Sequence, residues 1–307
     1  MGRHYLQALQ SLGVGQIRVC SQSEDSLESL RHVAGVTAKS GGYQLLDWTP
    51  SPSELAIIAT PTSELASAAD HLAKLGFRNI LIEKPVSLYS TGIQRLAEAM
   101  QHQEVNGVCG YNRVAYPSLI ELAHRAESEG GISSCNYTIT EIIKEDWEDR
   151  FSPDELARWG IANSIHVLSM AHGLIGAPES WDGHRTGSIS WHPAGSVFVG
   201  SGVSERNIPF AYHGDWGSKG RWSIEAHTAA ASYRMCPLEK LFRKESPIGE
   251  WEEIPVRSFA PEVKTGIVEE VAGMLSPSVA QAIPLVSLKE SVSLTNYAES
   301  VFGYSPK

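Results

Sequence analysis

The sequence predicts an α/β protein of two domains: a doubly wound parallel sheet, then an α+β domain with an open, mainly antiparallel sheet. Three observations carry this reading. Up to about residue 117, short apolar runs alternate with helix-period segments. Those runs are apolar on both faces, as strands covered on both sides must be. Further on, alternating stretches rich in Thr, Ser, Trp and Tyr take over, which suits an antiparallel sheet with one covered face. A chain of 307 residues exceeds one ordinary core. The expected domains are residues 1–117 and 118–307, with the C-terminal helix able to pack back on the first.

Each element has its own signal. Residues 3–12 set Tyr5, Ala8, Leu9 and Leu12 on one helical face, and Gly13 offers a stop. Residues 16–21 read as a strand, 26–33 as a helix and 43–46 as a second strand. The apolar run 55–60 has strand length. Residues 63–75 then form a helix burying Leu65, Ala69, Leu72 and Leu75, closed by Gly76. A strand at 79–82, a helix at 91–100 and a strand at 105–110 complete the first domain. In the second, 118–129 reads as a helix and 134–141 as a strand. Residues 196–199 and 221–227 alternate, and 238–243, 263–274 and 288–302 look helical.

Composition narrows the function. With 35 acidic against 25 basic residues, the net charge is −10, which gives nucleic-acid binding no electrostatic support. No window approaches eighteen uncharged apolar residues, so no membrane span is expected. The start carries no signal-peptide core, so a cytoplasmic location is expected. Cys20, Cys109, Cys135 and Cys236 have no metal-type spacing and read as reduced thiols. No metal is expected.

In a doubly wound sheet the ligand crevice lies beyond the carboxyl ends of the strands. Three successive ends carry Thr60-Pro61-Thr62, Glu83-Lys84-Pro85 and Gly110-Tyr111-Asn112-Arg113. A lysine in the middle position projects into the crevice, and Pro85 stops the strand. Taken alone, a strand-end lysine is more often plain surface. His166 lies among Ile165, Val167, Leu168 and Met170, where a buried core histidine is the commoner outcome.

Taken together, the three strand ends resemble the Gfo/Idh/MocA family of NAD(P)-dependent oxidoreductases over residues 1–118. Asn163-Ser164-Ile165-His166, followed by Leu174-Ile175-Gly176, resembles that family's catalytic histidine helix. The resemblance implies a Rossmann-like first domain and a catalytic set of Lys84, His166 and Asn163. It implies cofactor contacts from Gly2, Arg3, His4, Ser21, Thr60, Pro61, Glu83 and Lys84. Tyr111, Asn112 and Arg113 would then position a sugar or nucleotide-sugar, in a homodimer or homotetramer packed through the open sheet.

The chain departs from the family in several places. Ala162 stands where many members carry an aspartate, one turn before the histidine, and Asn163 brings no charge to replace it. Gly2-Arg3-His4 looks like the tail of a Gly-x-Gly-x-x-Gly turn whose first strand and two glycines have no counterpart, as in an N-terminally truncated member. Leu65 replaces a histidine often found after the Thr-Pro strand end. The strand ending Val19-Cys20-Ser21-Gln22 lacks the acidic residue that would grip a ribose 2′-hydroxyl, so NAD or NADP is expected with a slight lean to NADP. These gaps motivate an alternative, a non-catalytic homologue that binds a sugar ligand or a protein partner.

Overall fold

The computed structural model describes residues 1–305. Helix α1 (Gly2–Ser11) turns Tyr5, Leu6 and Ala8 inward. Strand β1 (Ile17–Ser21) and strand β2 (Val36–Ser40) pair in parallel, Ile17 opposite Val36. Then come β3 (Leu55–Ile58), α2 (Leu65–Lys74), β4 (Asn79–Glu83), α3 (Ser90–His102) and β5 (Asn106–Gly110). β3, β4 and β5 are parallel and in register, with Ile58 opposite Ile82 and Glu83 opposite Gly110. Ile80, Leu81 and Ile82 are fully buried. The sheet therefore ends level at Glu83 and Gly110, which places Lys84 and the segment after Gly110 on one rim.

This is the Rossmann-like half the sequence predicts, with its interruption. The β1–β2 ribbon does not hydrogen-bond to β3. An Arg18–Glu54 ion pair and the Arg18 guanidinium, 4.6 Å over the Trp48 ring, link the two parts. Two local expectations fail here. Residues 26–33 give only a 3-10 segment at Asp25–Leu30, and 43–46 form a 3-10 turn at Tyr43–Leu45. The strand lies earlier, at Val36–Ser40. Gly41 and Gly42, at φ +105° and +81°, break the chain before Tyr43 can extend it.

The second half opens with α4 (Pro117–Ser128), β6 (Ser134–Thr138), α5 (Trp147–Arg150) and α6 (Pro153–Ala157). A π-turn at Gly160–Ser164 runs into α7 (Ile165–Ile175). Next come β7 (Pro178–Thr186), β8 (Val197–Ser204), β9 (Pro209–Asp215), β10 (Ser223–His227), β11 (Ser232–Met235), β12 (Leu241–Lys244) and β13 (Glu252–Ile254). They form one eight-stranded sheet with β6, ordered β13-β12-β11-β10-β6-β9-β8-β7, in which only β6–β9 is parallel. Residues 238–243 are thus not helical. Leu241 is buried and Phe242 half-buried, the alternation of a strand packed on one face.

The chain then returns through α8 (Ile267–Leu275), α9 (Pro277–Ala280), β14 (Val286–Ser287) and α10 (Leu288–Phe302). β14 joins the first sheet antiparallel to β5, α10 packs on α3, and α8 packs on α1. Residues of both chain ends therefore converge beside the strand ends that carry the polar motifs.

Candidate functional site

Lys84 leaves the end of β4 and donates from Nζ to the carbonyl of Ala162, 2.7 Å away. That carbonyl lies in the π-turn, a widened turn found often at functional sites. The local fold forces the close packing. Gly160 sits so near Phe302 that a Cβ would stand 2.2 Å from the ring, and its N–H donates to the Tyr304 hydroxyl at 2.9 Å. Arg158 anchors the same segment to the Leu88 carbonyl, the Ser305 carbonyl and the Glu299 carboxylate. Burial pushes the Lys84 ammonium down to about 8. Glu83 and Glu141 oppose that shift, while Arg113 and Lys264 add to it.

The π-turn also turns Asn163 and Ser164 toward Glu141, which follows β6. The Asn163 amide donates to both Glu141 oxygens, at 3.1 and 3.3 Å, and the Ser164 hydroxyl donates to Oε1. Glu141 is 4% exposed, and burial raises its carboxyl to about 7 against the pull of these donors and of Lys84. Among the described hydrogen bonds none engages Asn163 Oδ1.

His166, on the first turn of α7, is buried, with its Nδ1 unpartnered. Burial and the charges on Lys84, Arg113 and Lys264 hold its pKa well below the usual range, so the ring is neutral at physiological pH. Its ring faces Trp222, 6.2 Å away. The Arg113 guanidinium lies 5.0 Å over the same indole. Arg113 Nε and Trp222 Nε1 are buried without a partner.

These groups border a cleft of about 260 Å³ lined by Arg113, Glu141, Trp147, Asn163, Arg221 and Trp222, among others. Lys84 and His166 do not line it directly. They adjoin it through the Ala162–Asn163 segment and through Trp222. Tyr111 and Asn112 are not brought to it: the Tyr111 ring is core, with its hydroxyl 3.3 Å from Ser291 Oγ, and the Asn112 amide donates to the Thr265 carbonyl at 2.9 Å. Asn112 instead fixes the turn that carries Lys264. Sequence reasoning missed Glu141, Trp222, Lys264 and Arg221, which come from loops and strands far apart in the chain and share no motif.

The residues expected to contact a cofactor lie on the first turn of α1, at the end of β1 and beyond the ends of β3 and β4. The N-terminus of α1 has no side-chain cap and no acid in its first turn, so its free amides and dipole suit an anion. His4 Nδ1 and Thr60 Oγ1 are buried without a partner, and Pro61 is exposed beside Thr60. Arg3 is exposed, while the Ser21 hydroxyl bonds to that of Ser26. Glu83 takes the Tyr5 hydroxyl at 2.8 Å and the Lys84 N–H at 3.1 Å, so it ties the strand end to α1. The uncapped start of α1, with the buried unpartnered Nδ1 of His4 on its first turn, fits a phosphate-bearing group such as a dinucleotide. Among the described residues no group of three His, Cys, Asp or Glu gathers as for a metal, and no helix is long and apolar enough to cross a membrane.

No family model matches the sequence, and neither does any curated protein. Solved structures do match. An oxidoreductase from Thermotoga maritima superposes with TM-score 0.75 at 15% identity, over 97% of this chain and 91% of that one. The WlbA dehydrogenase of Bordetella pertussis, in complex with NADH and UDP-GlcNAcA, gives 0.71 at 13%, over 98% and 91%. The UDP-N-acetylglucosamine 3-dehydrogenase GnnA of Acidithiobacillus ferrooxidans gives 0.72 at 14%, over 98% and 92%. Such coverage does not support the expectation of an N-terminally truncated member. The shared feature these likenesses show is the two-domain fold.

Proposed function

We propose that this protein is an NAD(P)-dependent oxidoreductase acting on a hydroxyl or keto carbon of a sugar or nucleotide-sugar. The observation that carries the reading is the meeting of Lys84, Asn163 and His166 from separate elements, beside a tryptophan-lined cleft. Structural neighbours that bind NADH with a nucleotide-sugar support it. A cleft of about 260 Å³ lies at the small end of ligand sites, roughly 300–1,000 Å³, and suits one sugar ring. Indole faces stack on such rings.

The α1 N-terminus, Arg3, His4, Thr60 and Pro61 would hold the dinucleotide. When bound, its nicotinamide supplies the two-electron redox chemistry. The chain's own groups handle the proton. Lys84, lowered to about 8, carries a substantial neutral fraction above that pH and takes the hydroxyl proton in the oxidation direction. Neutral His166 orients the same oxygen by a hydrogen bond. Asn163 Oδ1 accepts from a neighbouring hydroxyl, and Arg113 donates from its plane over Trp222. Ser21, with no adjacent acid on β1, leaves room for a 2′-phosphate, which supports the lean to NADP. The covered and open faces of the eight-stranded sheet support assembly as a homodimer or homotetramer.

Fluorescence titration with NADH and NADPH tests the reading, followed by turnover with a panel of sugars and nucleotide-sugars. Micromolar binding of either cofactor and reduction of the oxidised form by one of the sugars is expected. Sugar binding without any cofactor binding at millimolar concentration would instead establish a non-catalytic ligand-binding homologue.

A further inference from the structure

The carboxylate that the histidine helix lacks comes from another element. We propose that Glu141 is a positioning residue for the proposed reaction, fixing Asn163 in one amide orientation and supplying the negative charge absent at Ala162. The inference rests on the oxidoreductase reading above and deepens it.

Three features support it. The first is register: the π-turn directs the side chains of Asn163 and Ser164 to Glu141 while the Ala162 carbonyl takes the Lys84 ammonium. A single distorted turn thus links the lysine to the carboxylate. The second is hydrogen-bond polarity. An ionised carboxylate only accepts, so the side of Asn163 facing it must be the amide NH₂. That leaves Oδ1 as the group available to the cleft, an acceptor for a substrate hydroxyl. The third is location: Glu141 lines the cleft itself and follows β6, which pairs inside the eight-stranded sheet between β10 and β9. Thr140, adjacent, accepts the Asp215 N–H through Oγ1 at 3.0 Å, which fixes the segment further.

Charge balance follows. Lys84, Arg113 and Lys264 converge on the site, and none of the three forms an ion pair among the described residues. Lys84 feels Glu83 and Glu141 as its two compensating anions. The groups that face Glu141 are Lys84 after β4, Arg113 after β5, Asn163 and Ser164 in the π-turn, and Trp159 before it. Arg221 and Glu239 stand across the cleft, and Tyr304 follows α10. Glu141 is the one carboxylate in that set that is buried.

The test separates this inference from the function it rests on. Lysine side chains are labelled with ¹³C at Cε, and Lys84 is assigned by its absence in Lys84→Arg. Its titration is then followed by NMR in the wild type and in Glu141→Gln. This readout needs no turnover and no cofactor. The Lys84 midpoint should fall in Glu141→Gln, the direction that loss of a neighbouring opposite charge dictates, and should stay near the wild-type value in Glu141→Asp. In turnover, the alkaline-rising limb of the oxidation rate should move to lower pH by the same amount. A merely structural role would lower the rate without moving the limb. An unchanged Lys84 titration in a folded Glu141→Gln variant overturns the proposal, whereas absence of cofactor binding in the wild type overturns only the redox reading. If Glu141→Gln fails to fold, Ser164→Ala keeps the carboxylate but removes one of its donors. Glu141 should then bind its proton at higher pH, and Lys84 should show a second inflection there; a single unshifted midpoint counts against the proposal.

Discussion

In the proposed reaction, Lys84 is the residue on which the chemistry turns. Its replacement by methionine keeps the length and apolar stem but removes the group that takes the proton. A fall in turnover of about 10²–10⁴-fold is expected, the usual contribution of a positioned acid–base group, with cofactor affinity nearly unchanged. Steady-state rates paired with NADPH titration check this, and a variant with wild-type turnover would remove Lys84 from the mechanism. Lys84, Asn163 and His166 were legible in the sequence because each sits in a short motif next to an apolar run. Glu141 was not. It follows an ordinary alternating strand, and only the π-turn reveals that two polar side chains on another element aim at it. Tyr111 marks the opposite limit: it stands in a suggestive motif, yet the Gly110 turn delivers its ring to the core.

Among the elements, the β1–β2 ribbon stands outside the main parallel sheet. Its strands pair with each other alone; Cys20 packs against the core, and the Arg18–Glu54 pair and the stacking of Arg18 on Trp48 add a polar tie toward β3. Both partners are about one-third exposed, at 29% and 35%, so solvent screens the ion pair and the two contacts together contribute on the order of 1 kcal/mol. Arg18→Ala should therefore raise amide exchange across Val36–Ser40 by about five-fold, while β4 and β5 keep their protection. Equal acceleration in β4 would show that the ribbon and the main sheet open as one unit. The alternation of helix and strand in this half was readable because buried parallel strands are apolar throughout. The exact strand at 36–40 was not, since Val36-Thr37-Ala38-Lys39-Ser40 is half polar and the more apolar Tyr43–Leu46 follows the two glycines. Likewise 238–243 carries a helix-like apolar spacing, and tertiary pairing with β11 and β13 decides for a strand.

At the scale of the whole molecule, the two ends of the chain are joined through buried acids. Tyr5 on α1 donates to Glu83 at 2.8 Å and approaches Glu270 on α8 at 3.4 Å, and both carboxylates are nearly inaccessible. No sequence pattern announced this cluster, because 265 residues separate Tyr5 from Glu270. Burial, and then the neighbouring charge of Glu83, push the Glu270 carboxyl well above its usual range, with Tyr5 and Lys264 opposing. The folded protein therefore retains a proton that the unfolded chain releases above pH ~4.5. Stability from this group is fully present below that pH. It is lost as pH rises toward the folded-state value, by up to about 1.4 kcal/mol per pH unit. Glu270→Gln keeps an acceptor for Tyr5 and abolishes the titration. The variant should melt with the wild type at pH 4 and at a higher temperature at pH 8, the gap widening steadily between. Melting curves that stay parallel across that range would mean that Glu270 ionises in the fold without penalty, with Lys264 as its compensating charge. The widening gap would instead identify the α1–α8 junction as the place where alkaline pH loosens the helix expected to hold the dinucleotide.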